Sequence, residues 1–226
     1  MNNTQNPSYL VIRVRPDIEE EIDQYFSDVI KAATSKGAKL LGLERSSNVV
    51  IYEKGSIPFS TLILKWPEGQ SISIDFWKSQ IHKNIFNQLS IVFKKNIIAF
   101  TVEGLPDKGL IGDPIPTIAS YEFNTSEVNS NKFILIIDGT VTKPKVIDKY
   151  REILFDIMQE QKSYYIVLTA SEGIKMLHGK WNEDIFAISL WKSKKSVNDF
   201  WYGEKYQKTA IPLRIGAGEF TVIGFC

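Results

Sequence analysis

Three polar side chains in the C-terminal part of the sequence are the candidate catalytic residues: His178, Tyr206 and Arg214. His178 ends a predicted strand beside a glycine, and an imidazole can take and return a proton near neutral pH. Tyr206 lies near a predicted helix end, where its hydroxyl would line the mouth of a pocket. Arg214 can hold a carboxylate or phosphate through paired hydrogen bonds, and its expected partner is Glu204, Glu219 or an anionic ligand. The alternatives that stay open are a solvated histidine, a core tyrosine and a surface salt bridge.

Three more residues are candidate ligand-binding residues: Arg13, Glu53 and Trp181. Arg13 lies on a predicted strand face that is otherwise apolar, where a charge must be paired or must face a cavity. Arg13 therefore marks either a pocket or an acidic partner such as Glu53. Trp181 follows a predicted strand and, unlike Trp77 and Trp201, does not lie on the apolar stripe of a predicted helix. The second histidine, His82, lies on the helix face opposite Ile81 and is expected to be exposed.

The residue inventory argues against several other functions. Two histidines and the single Cys226 are far apart in sequence and give no zinc-type spacing, so no metal site is expected. There is no glycine-rich phosphate loop and no Gly-x-Ser-x-Gly nucleophile motif. A net charge of +1 offers no field to recruit nucleic acid or an acidic membrane. No window reaches the roughly 18–20 apolar residues of a spanning helix, and the polar N-terminus has no apolar signal core. A cytoplasmic location is therefore expected.

The pattern of elements that must position these residues occurs twice in the sequence. Asp75-Phe76-Trp77 returns as Asp199-Phe200-Trp201, and a constant step of 124 residues also superposes the apolar stripe of the first helix of each copy. We therefore predict a tandem duplication, with repeats at 1–102 and 133–226 and a linker at 103–132. Trp77 and Trp201 lie on apolar helix stripes and are predicted to be core residues.

Each repeat is predicted to contain strands and two helices in the order of a split βαβ unit. The two middle runs fit either a hairpin followed by one strand or a single bent strand. The second sheet face is too apolar to stay exposed to water, so we predict an α+β fold of two tandem ferredoxin-like domains whose antiparallel sheets pack face to face. The predicted strands are 9–14, 38–43, 49–53, 60–66 and 97–102, then 133–137, 164–168, 174–177, 185–191 and 220–225.

The sequence resembles a bacterial domain-of-unknown-function family, the one numbered thirteen-thirty, which belongs to the dimeric α/β-barrel superfamily. The resemblance covers both repeats and rests mainly on Leu177-His178-Gly179-Lys180-Trp181, Phe200-Trp201, Tyr206 and Pro212-Leu213-Arg214. It implies a single-chain version of a dimeric α/β barrel. His178 and Lys180 replace the glutamate and aspartate of the family's motif. In the first repeat His82 and Ser90 stand where the second has Tyr206 and Arg214, so a working pocket is expected in the second repeat.

Two classes of function follow from this resemblance and these residues. The first is a small-molecule enzyme, monooxygenase-like or isomerase-like, that uses Tyr206, Arg214 and His178. The second is a non-catalytic ligand-binding or protein-interaction module whose aromatic residues are core. Haem binding is a third alternative and requires a histidine that faces a cavity. No cofactor is evident from the sequence. The expected partner is a small molecule, and an anionic one would suit Arg214. The chain is expected to be a monomeric pseudo-dimer or a homodimer.

Overall fold

The structure is a computed structural model that describes residues 6–16, 21–53, 58–67, 69–105, 132–161 and 163–226. Most of the predicted linker, 106–131, lies outside these residues, and so do 17–20 and 54–57. What the sequence predicts for these ranges stays a prediction. The described residues form two compact units. Unit 1 takes them from 1–49, 57–104 and 171–182, and unit 2 takes them from 50–56, 105–170 and 183–226.

Ten strands lie in the described part of the chain: β1 Ser8–Val14, β2 Lys39–Glu44, β3 Val50–Glu53, β4 Ser60–Trp66, β5 Ile97–Glu103, β6 Phe133–Val141, β7 Tyr164–Ala170, β8 Ile174–His178, β9 Ile185–Trp191 and β10 Gly218–Phe225. The same part contains seven α-helices: α1 Ile22–Thr34, α2 Gln70–Lys78, α3 Gln80–Gln88, α4 Ile91–Lys95, α5 Pro144–Glu160, α6 Lys194–Trp201 and α7 Ile211–Arg214. A π-helical turn, Tyr206–Ala210, comes directly before α7. None of these described helices is long and apolar enough to cross a membrane.

Each unit contains one five-stranded antiparallel sheet. The strand order is β2-β4-β1-β5-β8 in unit 1 and β3-β10-β6-β9-β7 in unit 2. These sheets and helices confirm the predicted α+β class. The bounds of β4 and β9 are those predicted, and the other strands differ from prediction by one to four residues.

The two halves of the sequence have the same order of elements, but each half gives its third strand to the sheet of the other half. The short strand β3 pairs with β10, and β8 pairs with β5. The strand β2 pairs with β4 rather than with β3. Both interpretations of the middle runs, the hairpin and the bent strand, were therefore wrong. A short strand with polar neighbours carries no sequence signal for a partner this far away along the chain.

The core of each unit lies between its sheet and its helices. The apolar residues that alternate along the strands and those that repeat every three or four positions along the helices face each other there. Alternate residues of β1 and the stripe of α1 at spacings of three and four are buried together, as the pattern predicts. The same arrangement joins β6 to α5 in unit 2. The other face of β1, which carries Tyr9, Val11 and Arg13, is buried as well. Face-to-face packing of the two sheets stays a prediction.

The second helical segment of the first half is not one continuous helix. Serines break it into α2, α3 and α4, because Ser79 caps the start of α3 and Ser90 caps the start of α4. The break at Ser79 shifts the phase of the helix, so Ile81 leaves the predicted stripe, while Ile85 and Leu89 still pack against the core. Ile81 is 42% exposed, whereas His82 is only 2% exposed. The prediction that His82 is exposed was wrong for this reason.

The cap at Ser90 gives a testable stability prediction. Its Oγ accepts a hydrogen bond from the Phe93 amide at 3.1 Å, and its own amide donates to Glu21 at 3.0 Å. Ser90→Ala removes the first contact and is expected to lower the free energy of unfolding by about 0.5–2 kcal/mol. Ser90→Gly is the matched control and should cost only a few tenths of a kcal/mol. Equal stabilities of Ser90→Ala and wild type in chemical denaturation would show that the cap contributes nothing.

Candidate functional site

Two of the predicted catalytic residues, Tyr206 and Arg214, lie together in the core of unit 2. The π-helical turn carries Tyr206, α7 carries Arg214, and both side chains are buried. Arg214 Nη1 donates to the Tyr150 hydroxyl at 2.9 Å, and this hydroxyl lies 2.9 Å from that of Tyr206. Burial raises the pKa of Tyr206 well above its ordinary value, so its hydroxyl stays protonated. The three side chains form a buried donor-rich cluster.

The acidic partner of Arg214 is Glu53, which β3 brings into unit 2. Arg214 Nε lies 2.8 Å from Glu53 Oε2, and the guanidinium also lies 4.3 Å from the ring centroid of Phe220. Burial raises the pKa of the Glu53 carboxyl, and the charge of Arg214 opposes that rise. The expectation that Glu53 pairs with Arg13 was wrong, as was the choice of Glu204 or Glu219 for Arg214. A separate short strand supplies the carboxylate, which sequence spacing does not reveal.

The space around this cluster is small. Two cavities that Arg214 lines have volumes of about 10 and 30 Å³. A cavity needs about 10–15 Å³ to hold one water molecule, so these spaces suit one or two waters. Pockets for small organic molecules measure about 300–1,000 Å³. The cluster of Tyr150, Tyr206, Arg214 and Glu53 is therefore packed as core in this conformation.

Two predicted ligand-binding residues lie in unit 1, around Phe100. The Arg13 guanidinium lies 5.7 Å from the ring centroid of Phe59 and 6.0 Å from that of Phe100. The Trp181 ring centroid is also 6.0 Å from that of Phe100. Arg13 is buried and Trp181 is half-buried. The structure thus brings Arg13 and Trp181 near one aromatic ring and places Glu53 elsewhere, in unit 2.

A much larger pocket lies in unit 1, and we call it the imidazole pocket. Its volume is about 330 Å³, within the range of small-molecule sites. Both histidines of the chain line it, beside aromatic, aliphatic and polar residues. The described lining residues are Trp77, Lys78, His82, Lys83, Phe86, Asn87, Met176, Leu177 and His178. The first six come from α2 and α3 and the last three from β8, so both halves of the sequence contribute to this pocket.

The tautomer of His82 follows from its contacts. Its Nδ1 lies 2.9 Å from the carbonyl oxygen of Trp77, and since a carbonyl only accepts, Nδ1 carries the proton and donates. Nε2 therefore holds a lone pair, and it is buried with no hydrogen-bond partner among the described residues. Burial lowers the pKa of His82 to about 4, and the hydrogen bond to Trp77 opposes this shift. At neutral pH His82 is an uncharged hydrogen-bond acceptor.

His178 is oriented by a backbone carbonyl. Its Nε2 lies 2.8 Å from the Lys94 carbonyl oxygen and must donate to it, which leaves Nδ1 with the lone pair. Gly179 follows with φ of +73°, and a Cβ there would lie 2.6 Å from the Ile97 carbonyl oxygen. Only glycine tolerates that close approach, and the tight turn fixes the end of β8. The ring of Phe86 contacts both imidazoles, with centroids 5.8 Å from His82 and 5.0 Å from His178.

Sequence reasoning missed His82, Phe86 and the two lysines as site residues. The signal that would have found them is Ser79, because a serine three residues before His82 predicts a helix start and so changes the buried face. The contribution of β8 has no such signal. Among the described residues no cluster of three His, Cys, Asp or Glu side chains could hold a metal ion.

Protonation of His82 gives a pH prediction with a definite sign. Its pKa is about 4 in the folded protein and 6.5 when unperturbed, so the unfolded chain binds more protons between these values. Stability is therefore lost as the pH falls from about 6.5 to about 4, by roughly 3 kcal/mol from this group. His82→Phe should lack that loss. The measurement is the difference in unfolding free energy between wild type and variant at several pH values. The carboxylates are the same in both proteins, so their contribution to the pH dependence cancels in this difference. A difference that does not change with pH would contradict a buried neutral His82.

Comparisons with known proteins establish the fold but no family. No protein-family model matches the sequence, and no curated protein matches it. A solved structure of a "putative monooxygenase" from Fusobacterium nucleatum has 11% identity and a TM-score of 0.55, and covers 97% of this chain and 91% of its own. An "anthrone oxidase-like protein" has 12% identity and a TM-score of 0.50, with coverages of 98% and 92%. Such low identities show the fold alone, so membership of the thirteen-thirty family stays a prediction. The chain has the ferredoxin-like α+β fold of these two proteins.

Proposed function

We propose that this protein is a small-molecule enzyme whose substrate lies in the imidazole pocket of unit 1. The observation that carries the proposal is the pocket itself: about 330 Å³, with aromatic walls and two histidines oriented by backbone carbonyls. A concave, mostly apolar space with a few oriented polar groups is the usual form of a small-molecule site. Of the residues predicted as catalytic, His178 lines this pocket and Tyr206 and Arg214 do not.

The chemistry that suits these residues is removal of a proton from an organic substrate, the first step of many isomerisations and oxidations. His178 is the proposed proton acceptor through Nδ1, because the Lys94 carbonyl holds the opposite nitrogen as a donor. His82 has the lowered pKa and is a poor base, so its proposed role is to accept a hydrogen bond from the substrate. The names of the two structural neighbours, monooxygenase and oxidase-like, are compatible with such chemistry.

A second candidate role belongs to the cluster of unit 2. Arg214 Nη2 is buried with no hydrogen-bond partner in the described part of the chain, and π-helical turns such as the one that carries Tyr206 are often found at functional sites. We propose that a water or a similarly small oxygen-bearing molecule satisfies this donor in the 30 Å³ cavity. Arg214 and Glu53 then hold unit 2 together rather than bind the substrate.

We also propose that the chain is a tandem duplication with repeats at 1–102 and 133–226 and a linker at 103–132. The two halves share the same order of strands and helical segments, which supports this proposal. A duplicated chain makes a monomeric pseudo-dimer sufficient for the fold. A homodimer and a cytoplasmic location stay predictions.

Native mass spectrometry of the purified full chain tests the proposed function. A small molecule is expected to copurify or to bind from a compound library, and Met176→Trp, which fills the pocket, should abolish that binding. Lys175→Trp, at an exposed neighbouring position that does not line the pocket, should leave binding intact. Retention of every ligand by Met176→Trp would contradict the assignment of the pocket. Characteristic visible absorption after addition of haem, lost in Met176→Trp, would instead support haem binding.

Turnover separates an enzyme from a binding module. Once a ligand is known, His178→Gln should keep most of the affinity while the rate falls by about 10²–10⁴-fold, the usual contribution of a general base. Glutamine still donates to the Lys94 carbonyl but cannot take the proton. A ligand that is released unchanged by the wild-type protein would favour the non-catalytic alternative.

A further inference from the structure

We infer that the ligand of the imidazole pocket is a planar aromatic anion that carries a hydroxyl or N–H donor at the end remote from its negative charge. The inference rests on the proposed function and specifies its substrate class. Three features of the pocket carry it: a buried acceptor, aromatic walls, and lysines but no acid among the described lining residues.

The donor on the ligand follows from His82. Its Nε2 lone pair is buried and has no partner among the described residues, while its Nδ1–H is already used by Trp77. A buried acceptor without a partner is costly, and a neutral imidazole nitrogen of this tautomer can only accept. A ligand that presents a hydroxyl or an N–H to Nε2 removes this cost. A ligand that presents only acceptors there leaves the lone pair desolvated and is disfavoured.

The planar aromatic part follows from the walls. The Trp77 ring lies 4.0 Å from the His82 ring, centroid to centroid, at an interplanar angle of 34°, and Phe86 lies 5.9 Å from Trp77. Met176 and Leu177 give the pocket an apolar side from β8. Flat rings stack on such surfaces with favourable offset or edge contacts. The pocket volume of about 330 Å³ suits one or two rings at the low end of small-molecule sites.

The negative charge follows from the rim. Lys78 and Lys83 line the pocket and are exposed, and none of the nine described lining residues is acidic. Lys94 lies close by, with its Nζ 5.7 Å from the Phe86 ring centroid. Cations at the mouth of an apolar pocket whose described lining contains no acid favour an anionic ligand and speed its entry. The donor thus faces the buried His82 and the anion faces the lysines.

Three matched probes test the inference on the full chain by calorimetry: 4-hydroxybenzoate, 4-methoxybenzoate and methyl 4-hydroxybenzoate. The first has both features, the second lacks the donor and the third lacks the charge. The methoxy compound is expected to bind about 3- to 10-fold more weakly, the effect of one hydrogen bond. The methyl ester is expected to bind about 2- to 5-fold more weakly, as for exposed ion pairs, and this difference should shrink in high salt.

Two variants assign these preferences to residues. His82→Phe keeps a ring in the aromatic wall and removes the acceptor, so it should bind the hydroxy and methoxy probes equally. Lys83→Met should reduce the advantage of the carboxylate over its ester, whereas Lys31→Met, an exposed lysine of α1 that does not line the pocket, should not. The wild-type comparison needs no variant, so poor folding of His82→Phe leaves the test intact.

The outcomes separate this inference from the proposed function. If library compounds bind in the pocket but the three probes bind equally or not at all, the ligand class is wrong while the pocket stands. If no compound binds and Met176→Trp changes nothing, the proposed function fails with it. If the methoxy probe binds more tightly than the hydroxy probe, His82 does not act as the acceptor and the inference is overturned.

Discussion

Replacing Trp201 by alanine is expected to lower the free energy of unfolding by about 3–5 kcal/mol, the usual cost of removing a large buried aromatic side chain. Trp201 is 7% exposed, and its ring lies 5.5 Å from Tyr52 and 5.3 Å from Tyr206, between ring centroids. It also lies 5.9 Å from the Arg214 guanidinium. The cavity left by alanine would therefore open at the centre of the unit 2 core. Equilibrium denaturation measures the loss.

Trp77→Ala is the internal control, since it is the equivalent position 124 residues earlier. The sequence predicts that both tryptophans are core residues, but Trp77 is half-buried and lines the imidazole pocket. Its loss is expected to be about half that of Trp201, because less of the ring is removed from contact with protein. A loss below about 1 kcal/mol for Trp201→Ala would contradict its burial.

Arg214 and Glu53 are expected to be strongly coupled, and the two single variants are expected to lose different amounts of stability. Glu53→Leu leaves the charge of Arg214 buried, at 4% side-chain exposure, and should cost about 3–5 kcal/mol. Arg214→Met leaves Glu53, which is 32% exposed and can regain water or a proton, so a smaller loss of about 1–3 kcal/mol is expected. The double variant should be more stable than Glu53→Leu alone, because it contains no unpaired charge. Losses that simply add in a double-mutant cycle would show that the pair is not coupled.

Hydrophobic periodicity predicted the framework well because the core of each unit imposes it. The alternation in β1 and the stripe in α1 face the same core, so the sequence pattern and the buried residues agree. Short elements behaved differently. The strand β3 has four residues and pairs with β10, far away along the chain, and no local pattern predicts that partner.

The candidate site was less predictable for two physical reasons. The serine cap at Ser79 rotated the following turn, and so buried His82 and exposed Ile81, against the simple helical stripe. The pocket also combines α2 and α3 of the first half of the sequence with β8 of the second half. Comparison of positions 124 residues apart therefore pointed to Tyr206 and Arg214 instead. Of the three predicted catalytic residues, only His178 lines the imidazole pocket. Arg214 pairs with the internal carboxylate of Glu53.

The most direct test of the imidazole pocket is nitrogen NMR of the full chain labelled at histidine. The chain has two histidines, and both line this pocket, so every histidine signal reports on it. At neutral pH His82 is expected to be uncharged with its proton on Nδ1, and its Nε2 signal should shift to that of a hydrogen-bonded acceptor when 4-hydroxybenzoate is added. The His178 signals should respond to the same titration. A His82 that carries its proton on Nε2, or histidine signals that no bound compound changes, would contradict the account.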